Sequence, residues 1–280
     1  MADLKFAPYH NVCACFEKTS KNSLFHHIID FMRQSSLYVA LSVKPQICEK
    51  HIRDFWGSAR LENDSIHATV DGQNITITQA MISDTFEFDD LDAVKWYSEK
   101  RVRICMDMMG YNVESHEKQY QKKVFNPLWR YIAHVILRCM SCRRDNFEEL
   151  NQRLASMMIA FAYQQEFSYS SYIFYELCNH IQSESKFLLF PRFLQHIFNQ
   201  NFPKLVHEGS SLDLSQLKPK VFANMMRFRG TGLDAPLFGH MIVQDEEPLF
   251  PQSPASETGP VVDAQSPTSE NLFPQSPANV

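Results

Sequence analysis

The residues best suited to chemistry in this chain are its cysteines, histidines and carboxylates. Cys139 and Cys142 form a CxxC, a spacing at which two thiolates share a zinc ion or cycle as a redox pair. A structural zinc site needs two further ligands. There is no second CxxC, and Cys178 with His180, the best complement, matches no finger or knuckle spacing. The pair also falls at the end of an apolar helical stripe, whereas a redox motif opens a helix. Cys139 is therefore expected in the core, with Cys142 incidental and Cys13 and Cys15 a weaker version of the same pattern. His26, His27 and His51 sit on amphipathic segments, where lone histidines are expected to be satisfied polar groups. Glu87, Asp89, Asp90 and Asp92 would suit Mg²⁺, as nucleases require. No distant carboxylate motif accompanies them, so a solvated acidic loop is expected. GxSxG, HExxH and GxxxxGK[ST] do not occur. The expectation is a non-enzymatic chain without cofactor or metal.

The basic residues are the other chemical candidates. They run Lys95, Lys100, Arg101, Arg103, then Lys118, Lys122, Lys123, then Arg138, Arg143, Arg144. Trp96, Tyr97, Tyr111 and Tyr120 interleave with them and would offer stacking surfaces to single-stranded nucleic acid. Lys122, Lys123, Arg143 and Arg144 are the expected phosphate contacts, being adjacent basic pairs. Against this stands the charge balance. Residues 245–280 carry six acids and no Lys or Arg, which leaves 27 bases against 26 acids in residues 1–244. A neutral body is not the footprint of a dedicated polyanion binder.

These residues must be positioned by a chain of 280 residues with 22 Phe and only 8 Gly, too few for a Gly-rich dinucleotide fold. Seven cysteines cannot all pair within one chain. With no secretory look at the N-terminus, reduced thiols in the cytoplasm or nucleus are expected. No apolar run approaches a membrane span of roughly 18 residues. Residues 245–280 repeat Leu-Phe-Pro-Gln-Ser-Pro-Ala at 249–255 and 272–278, and read as a disordered, Pro/Ser-rich acidic tail.

Before the tail, helical periodicity dominates. A helix opens near Asn22 or Ser23, and Pro45 fits the first turn of another through His51 and Phe55. Alternation at Ile66, Ala68, Val70 and at Ile75, Ile77 around Asp71-Gly72 predicts a β-hairpin, with Ala68 opposite Ile75 and Ile66 opposite Ile77. Thr78 should cap the next helix. Asn126-Pro127 starts a helix with a stripe from Leu128 to Cys139, and Asp145 with Glu148 reads as a capping box for its successor. Further helices are expected from Ser168 and after Pro191, and an irregular stretch over 203–244. The expected fold is mostly α: a helical bundle-like domain over 1–244 with one small β-hairpin.

Five phrases occur in order: His51-Ile-Arg-Asp-Phe-Trp56, Ile66-His-Ala-Thr-Val-Asp-Gly72, Phe125-Asn-Pro-Leu-Trp-Arg130 running on to His134, Phe190-Pro-Arg-Phe-Leu194, and Lys220-Val-Phe-Ala-Asn-Met-Met-Arg227. Together they resemble a plant family of transposon proteins, encoded beside or fused with retrotransposon gag–pol segments. The resemblance covers roughly residues 8–244. It implies a transposable-element origin and a gag-like or accessory role without enzymatic activity, and it carries no site residues across. The chain lacks a gag zinc knuckle, the Asp-Ser/Thr-Gly of a retroviral-type protease and the reverse-transcriptase Asp pair. The expected function is a retrotransposon-derived structural or interaction protein that self-associates or binds protein partners. The alternative is a nucleic-acid-binding accessory protein using segment 95–144. No membrane and no small-molecule substrate is implied.

Overall fold

The computed structural model describes residues 5–7, 9–111, 119–183, 187–205, 211–212 and 216–242. They belong to one compact unit, Met1–Val243. The expected tail, residues 245–280, lies outside the described residues.

In chain order the elements are β1 (Lys5–Phe6), α1 (His26–Gln34), α2 (Tyr38–Ser42), β2 (Ile47–Cys48), α3 (Glu49–Ser58), β3 (Arg60–Glu62), β4 (Ser65–Val70) and β5 (Gln73–Ile77). There follow α4 (Gln79–Phe86), α5 (Glu99–Met108), β6 (Gln119–Gln121), α6 (Pro127–Val135) with a π-helical extension Ile136–Met140, β7 (Glu149–Asn151), α7 (Gln152–Tyr163) and α8 (Tyr169–Gln182). The described chain closes with β8 (Phe187–Leu188), α9 (Pro191–Asn201), β9 (Ser211–Leu212) and α10 (Lys220–Met226).

The expected mostly α-helical bundle is overturned. Among the described residues ten α-helices are joined by four small sheets, so that about 51% of these residues are helical and 13% strand, a mixed α/β architecture. Three of the sheets are two-stranded: β1 runs parallel to β8, β2 antiparallel to β9, and β6 antiparallel to β7. Each ladder is two or three residues long, too short to show a period of two in the sequence. Its partner lies far away in the chain, so no turn signal announces it. Two local readings fail for the same reason. Ile47 and Cys48 pair with Leu212 and Ser211, so the helix after Pro45 starts only at Glu49. Glu149–Asn151 pairs with β6, and Asn151 rather than Asp145 caps the next helix, its Oδ1 accepting from Leu154 N at 3.0 Å. The stretch 203–244, expected to be irregular, contains β9 and α10.

Where the signal is local, it holds. Ala68 stands opposite Ile75 and Ile66 opposite Ile77, and Asp71 and Gly72 both have positive φ, as a two-residue hairpin turn requires. Arg60–Glu62 adds a third strand to this hairpin. Thr78, Asn126 and Ser168 each cap a helix through the side-chain oxygen, and Pro127 fills the first turn of α6. Phe rings make much of the core. Phe25, Phe31, Phe55, Phe86, Phe125, Phe193 and Phe198 are all fully buried. Pairs such as Phe86–Phe193, edge to face at 4.9 Å, have the geometry aromatic quadrupoles favour.

Residues 10–15 are all buried and run as a thread between two helix ends. Helix ends leave carbonyls without intrahelical donors, and this thread supplies them. Ala14 N donates to Leu41 O at the end of α2, and Val12 N to Arg138 O in the π-helical extension. The Asn11 side chain donates to Cys139 O, while its Oδ1 accepts from Arg192 N and Phe193 N. Asn11 thus caps α9 from about 180 residues away in the chain. Beside it His10 donates through Nδ1 to Arg143 O and accepts Phe190 N at Nε2.

Two buried arginines complete this carbonyl accounting. Arg192, 1% exposed, donates from Nε to Asn11 O, from Nη1 to Ala40 O and Val43 O, and from Nη2 to Cys139 O, at 2.6–3.1 Å. Arg130, 5% exposed, donates from Nη1 to Met225 O and Phe228 O and from Nη2 to Lys123 O and Phe125 O. Neither pairs with a carboxylate among the described residues. The planar, five-donor guanidinium gathers backbone from four directions, and the negative ends of helices stabilise its charge.

Candidate nucleic-acid interface

Most of the chemical candidates are absorbed by packing. Cys139 is fully buried, and burial pushes its thiol up to about 12. Burial and the neighbouring Glu176 raise the Cys142 thiol as well, and it donates to Glu176 Oε2 at 2.9 Å. Among the described residues no group of three His, Cys, Asp or Glu side chains is placed to hold a metal ion. His26 bonds the Thr19 carbonyl, and His51 is buried edge-on to Phe198. The acidic cluster divides. Asp90 is buried and accepts from Ser83 Oγ and from Ser170 N in the first turn of α8, both at 2.8 Å, while Glu87, Asp89 and Asp92 stay exposed. Asp90 is thus a helix anchor, as a carboxylate at a helix N-terminus should be. Asp90→Ala is expected to lower unfolding free energy by about 2 kcal/mol in urea titrations; Asp92→Ala, at an exposed position without a left-handed backbone, is expected to leave it unchanged.

The four expected phosphate contacts take different places. Lys122 is buried. Its Nζ donates to Phe147 O at 2.8 Å, to Glu148 Oε1 at 2.9 Å and to His134 Nδ1 at 3.4 Å. Burial draws its pKa down, and Glu148 draws it part of the way back. Its neighbour Lys123 is exposed. Arg143 is half-buried and spans to Asn146 O, and exposed Arg144 lies 4.3 Å over the Phe187 ring. Of the interleaved aromatics, Tyr97 and Tyr111 are buried and Tyr120 packs on Tyr111, whereas Trp96 is 54% exposed.

The fold adds a basic surface that the 95–144 reading did not contain. From Gln216 to Leu233 the chain holds Lys218, Lys220, Arg227 and Arg229 and no acid, and all four bases are exposed. Between the last two stands Phe228, 69% exposed, with Met226 at 51%. Arg130 joins this segment to Lys123, because one guanidinium binds the carbonyls of both Phe228 and Lys123. Two glycines hold the continuation in place. Gly232 N donates to Val124 O, and Leu233 N to Gly110 O. Gly110 has φ +87°, and a Cβ there would run into the Leu233 carbonyl oxygen. The result is a ridge of three cations, Lys123, Arg227 and Arg229, around one open aromatic ring. Among the described residues none of these cations is in an ion pair. The sequence signal for it was Arg-Phe-Arg at 227–229, which lacks an adjacent basic pair. Its nearness to Lys123 exists only through the buried Arg130.

No described helix is long and apolar enough to cross a membrane. Compared with protein families, curated proteins and solved structures, the chain matches none.

Proposed function

We propose that this chain is a non-enzymatic interaction protein that binds single-stranded nucleic acid along the ridge of Lys123, Arg227, Phe228 and Arg229. One observation carries the reading: an exposed aromatic ring flanked by unpaired cations in an acid-free stretch. Cations follow a phosphate backbone and an open ring stacks a base without regard to its identity. A body near zero net charge is compatible with this, because field strength over a surface is set locally. The ordered phrases quoted above support a transposable-element origin, which makes the role gag-like or accessory. Seven free cysteines support the cytoplasm or nucleus as its setting.

Fluorescence anisotropy with a labelled 20-nucleotide single strand tests the proposal. Binding should be micromolar at low salt, weaken steeply as salt rises, and exceed binding to a duplex of the same length. Arg227→Ser with Arg229→Ser should weaken it at least tenfold and flatten the salt slope by about one unit for each lost contact. Phe228→Ala should weaken it by about tenfold with the slope unchanged. These side chains are exposed, so the variants should keep the parent melting temperature. Absence of binding at 50 mM salt, or binding insensitive to all three changes, would sink the proposal.

A further inference from the structure

A second cationic–aromatic feature lies apart from the ridge residues. Trp96, Asn151, Gln152, Arg153 and Tyr175 line a cleft of about 510 Å³. The Arg153 guanidinium sits 3.7 Å over the Tyr175 ring and 5.5 Å from the Trp96 ring. It is held from behind. Glu176, its side chain 14% exposed, faces Arg153 through Oε1 at 3.7 Å and accepts the Cys142 thiol through Oε2. The carboxylate is thus fixed by the half-buried Cys142 thiol and fixes the arginine in turn. At 3.7 Å the ion pair is loose, and it leaves guanidinium donors for another acceptor.

The lining selects the ligand. Arg153 already fills the space between the two rings, so a cation is repelled. Exposed Trp96 and half-stacked Tyr175 favour a planar ring. Asn151 Oδ1 is taken by Leu154 N, and Gln152 Nε2 by Tyr97 O, which leaves an amide donor on Asn151 and an amide acceptor on Gln152 for a polar ring edge. The free guanidinium edge favours an anion, and the first turn of α7, where Gln152 and Arg153 lie, reinforces it. A planar heterocycle with polar edges, joined to an anion, is a nucleotide.

We infer that this cleft binds one nucleotide, its base on the Trp96 ring and its phosphate at Arg153. The inference rests on the nucleic-acid reading for the choice between a free nucleotide and one within a strand. Intrinsic fluorescence of the full chain is the assay, because Trp129 is buried and Trp56 partly so, leaving Trp96 as the exposed reporter. 5′-AMP should quench the emission at submillimolar concentration, and adenosine should bind about tenfold more weakly. Trp96→Phe should abolish the quench. Arg153→Gln should weaken AMP about tenfold and leave adenosine unchanged, a split that mere loss of packing would not produce. In the anisotropy assay, Trp96→Ala should weaken strand binding about tenfold if the nucleotide belongs to a strand. AMP quenching without effect of Trp96→Ala on the strand supports the cleft and assigns it to free nucleotides. AMP quenching with no strand binding at all supports the cleft and removes the ridge proposal. No quenching by 5 mM AMP, or equal quenching in Trp96→Phe, overturns the cleft and leaves the ridge standing.

Discussion

Replacing Arg192 by Met is expected to destabilise the body strongly. The change removes one buried guanidinium and with it the donors for Asn11 O, Ala40 O, Val43 O and Cys139 O. Cys139 O keeps the Asn11 amide and Val43 O the weak Cys13 thiol, but Asn11 O and Ala40 O lose their donor. A buried acceptor left without a donor costs about 1–3 kcal/mol, so the loss is at least about 2 kcal/mol. Total stability of an ordinary domain is only about 5–15 kcal/mol. Arg192→Lys keeps the charge but offers three donors from a single point, which cannot reach acceptors spread around a plane. It should therefore fail nearly as badly, and that failure separates carbonyl gathering from simple charge. Arg130→Met should behave like Arg192→Met, since Arg130 also serves four carbonyls. Circular dichroism and urea titration of the purified variants decide the matter. A melting temperature within 2 °C of the parent for Arg192→Met would show that the carbonyls find other donors.

Mild acid is expected to cost the body about 4 kcal/mol between pH 7 and pH 5. His10 and His134 are both buried, and burial, followed for His134 by the cations Lys122 and Arg138, lowers each to about 3. In the unfolded chain the same rings titrate near 6.5. Below that value the unfolded state binds protons that the folded state does not, so stability falls as pH falls. The loss continues toward pH 3, where the folded rings begin to protonate as well. Each ring contributes about 1.4 kcal/mol per pH unit once well below 6.5. His180 and His196, also lowered mainly by burial, act in the same direction. Unfolding free energies measured in urea at pH 7, 6 and 5 give the slope directly. His134→Asn keeps an acceptor for Lys122 and should remove about half of the loss. A stability that stays flat over this range would mean that neither ring is shielded.

The sequence reveals what is decided within a few neighbours. Asp71-Gly72 between alternating runs gives the hairpin and its register, because turn chemistry and pairing are local there. Asn126-Pro127 and Ser168 give helix starts for the same reason. The short ladders are illegible, since Ile47 pairs with Leu212 across more than 160 residues and neither segment is long enough to show alternation. These ladders make the fold mixed rather than mostly α. The interior thread was equally hidden: His10 and Asn11 look like polar residues near a terminus, and only the partners Phe190 and Arg192 explain their burial. Among site residues, Lys122 and Lys123 read alike as one basic pair, yet the first points into the protein and the second out of it. Nothing in a dipeptide distinguishes them; the difference is made by Glu148 and the Phe147 carbonyl. Arg153 and Tyr175 gave no signal, because their stacking joins two helices.

The thread through residues 10–15 also dictates an order of events. Its partners include Leu41, Arg138, Cys139, Phe190, Arg192 and Leu217, whose N–H donates to Cys13 O, so on the ribosome it must wait for roughly 200 further residues before its last contacts exist. The hairpin and the first helices can form as they emerge, but the centre that ties them together closes only once α9 has been made. Closing loops of that length before any reward from contacts is slow, and until then several apolar helix faces have no cover. Nascent chains halted before residue 190 should therefore be protease-sensitive and should engage chaperones, whereas chains halted after residue 243 and clear of the exit tunnel should not.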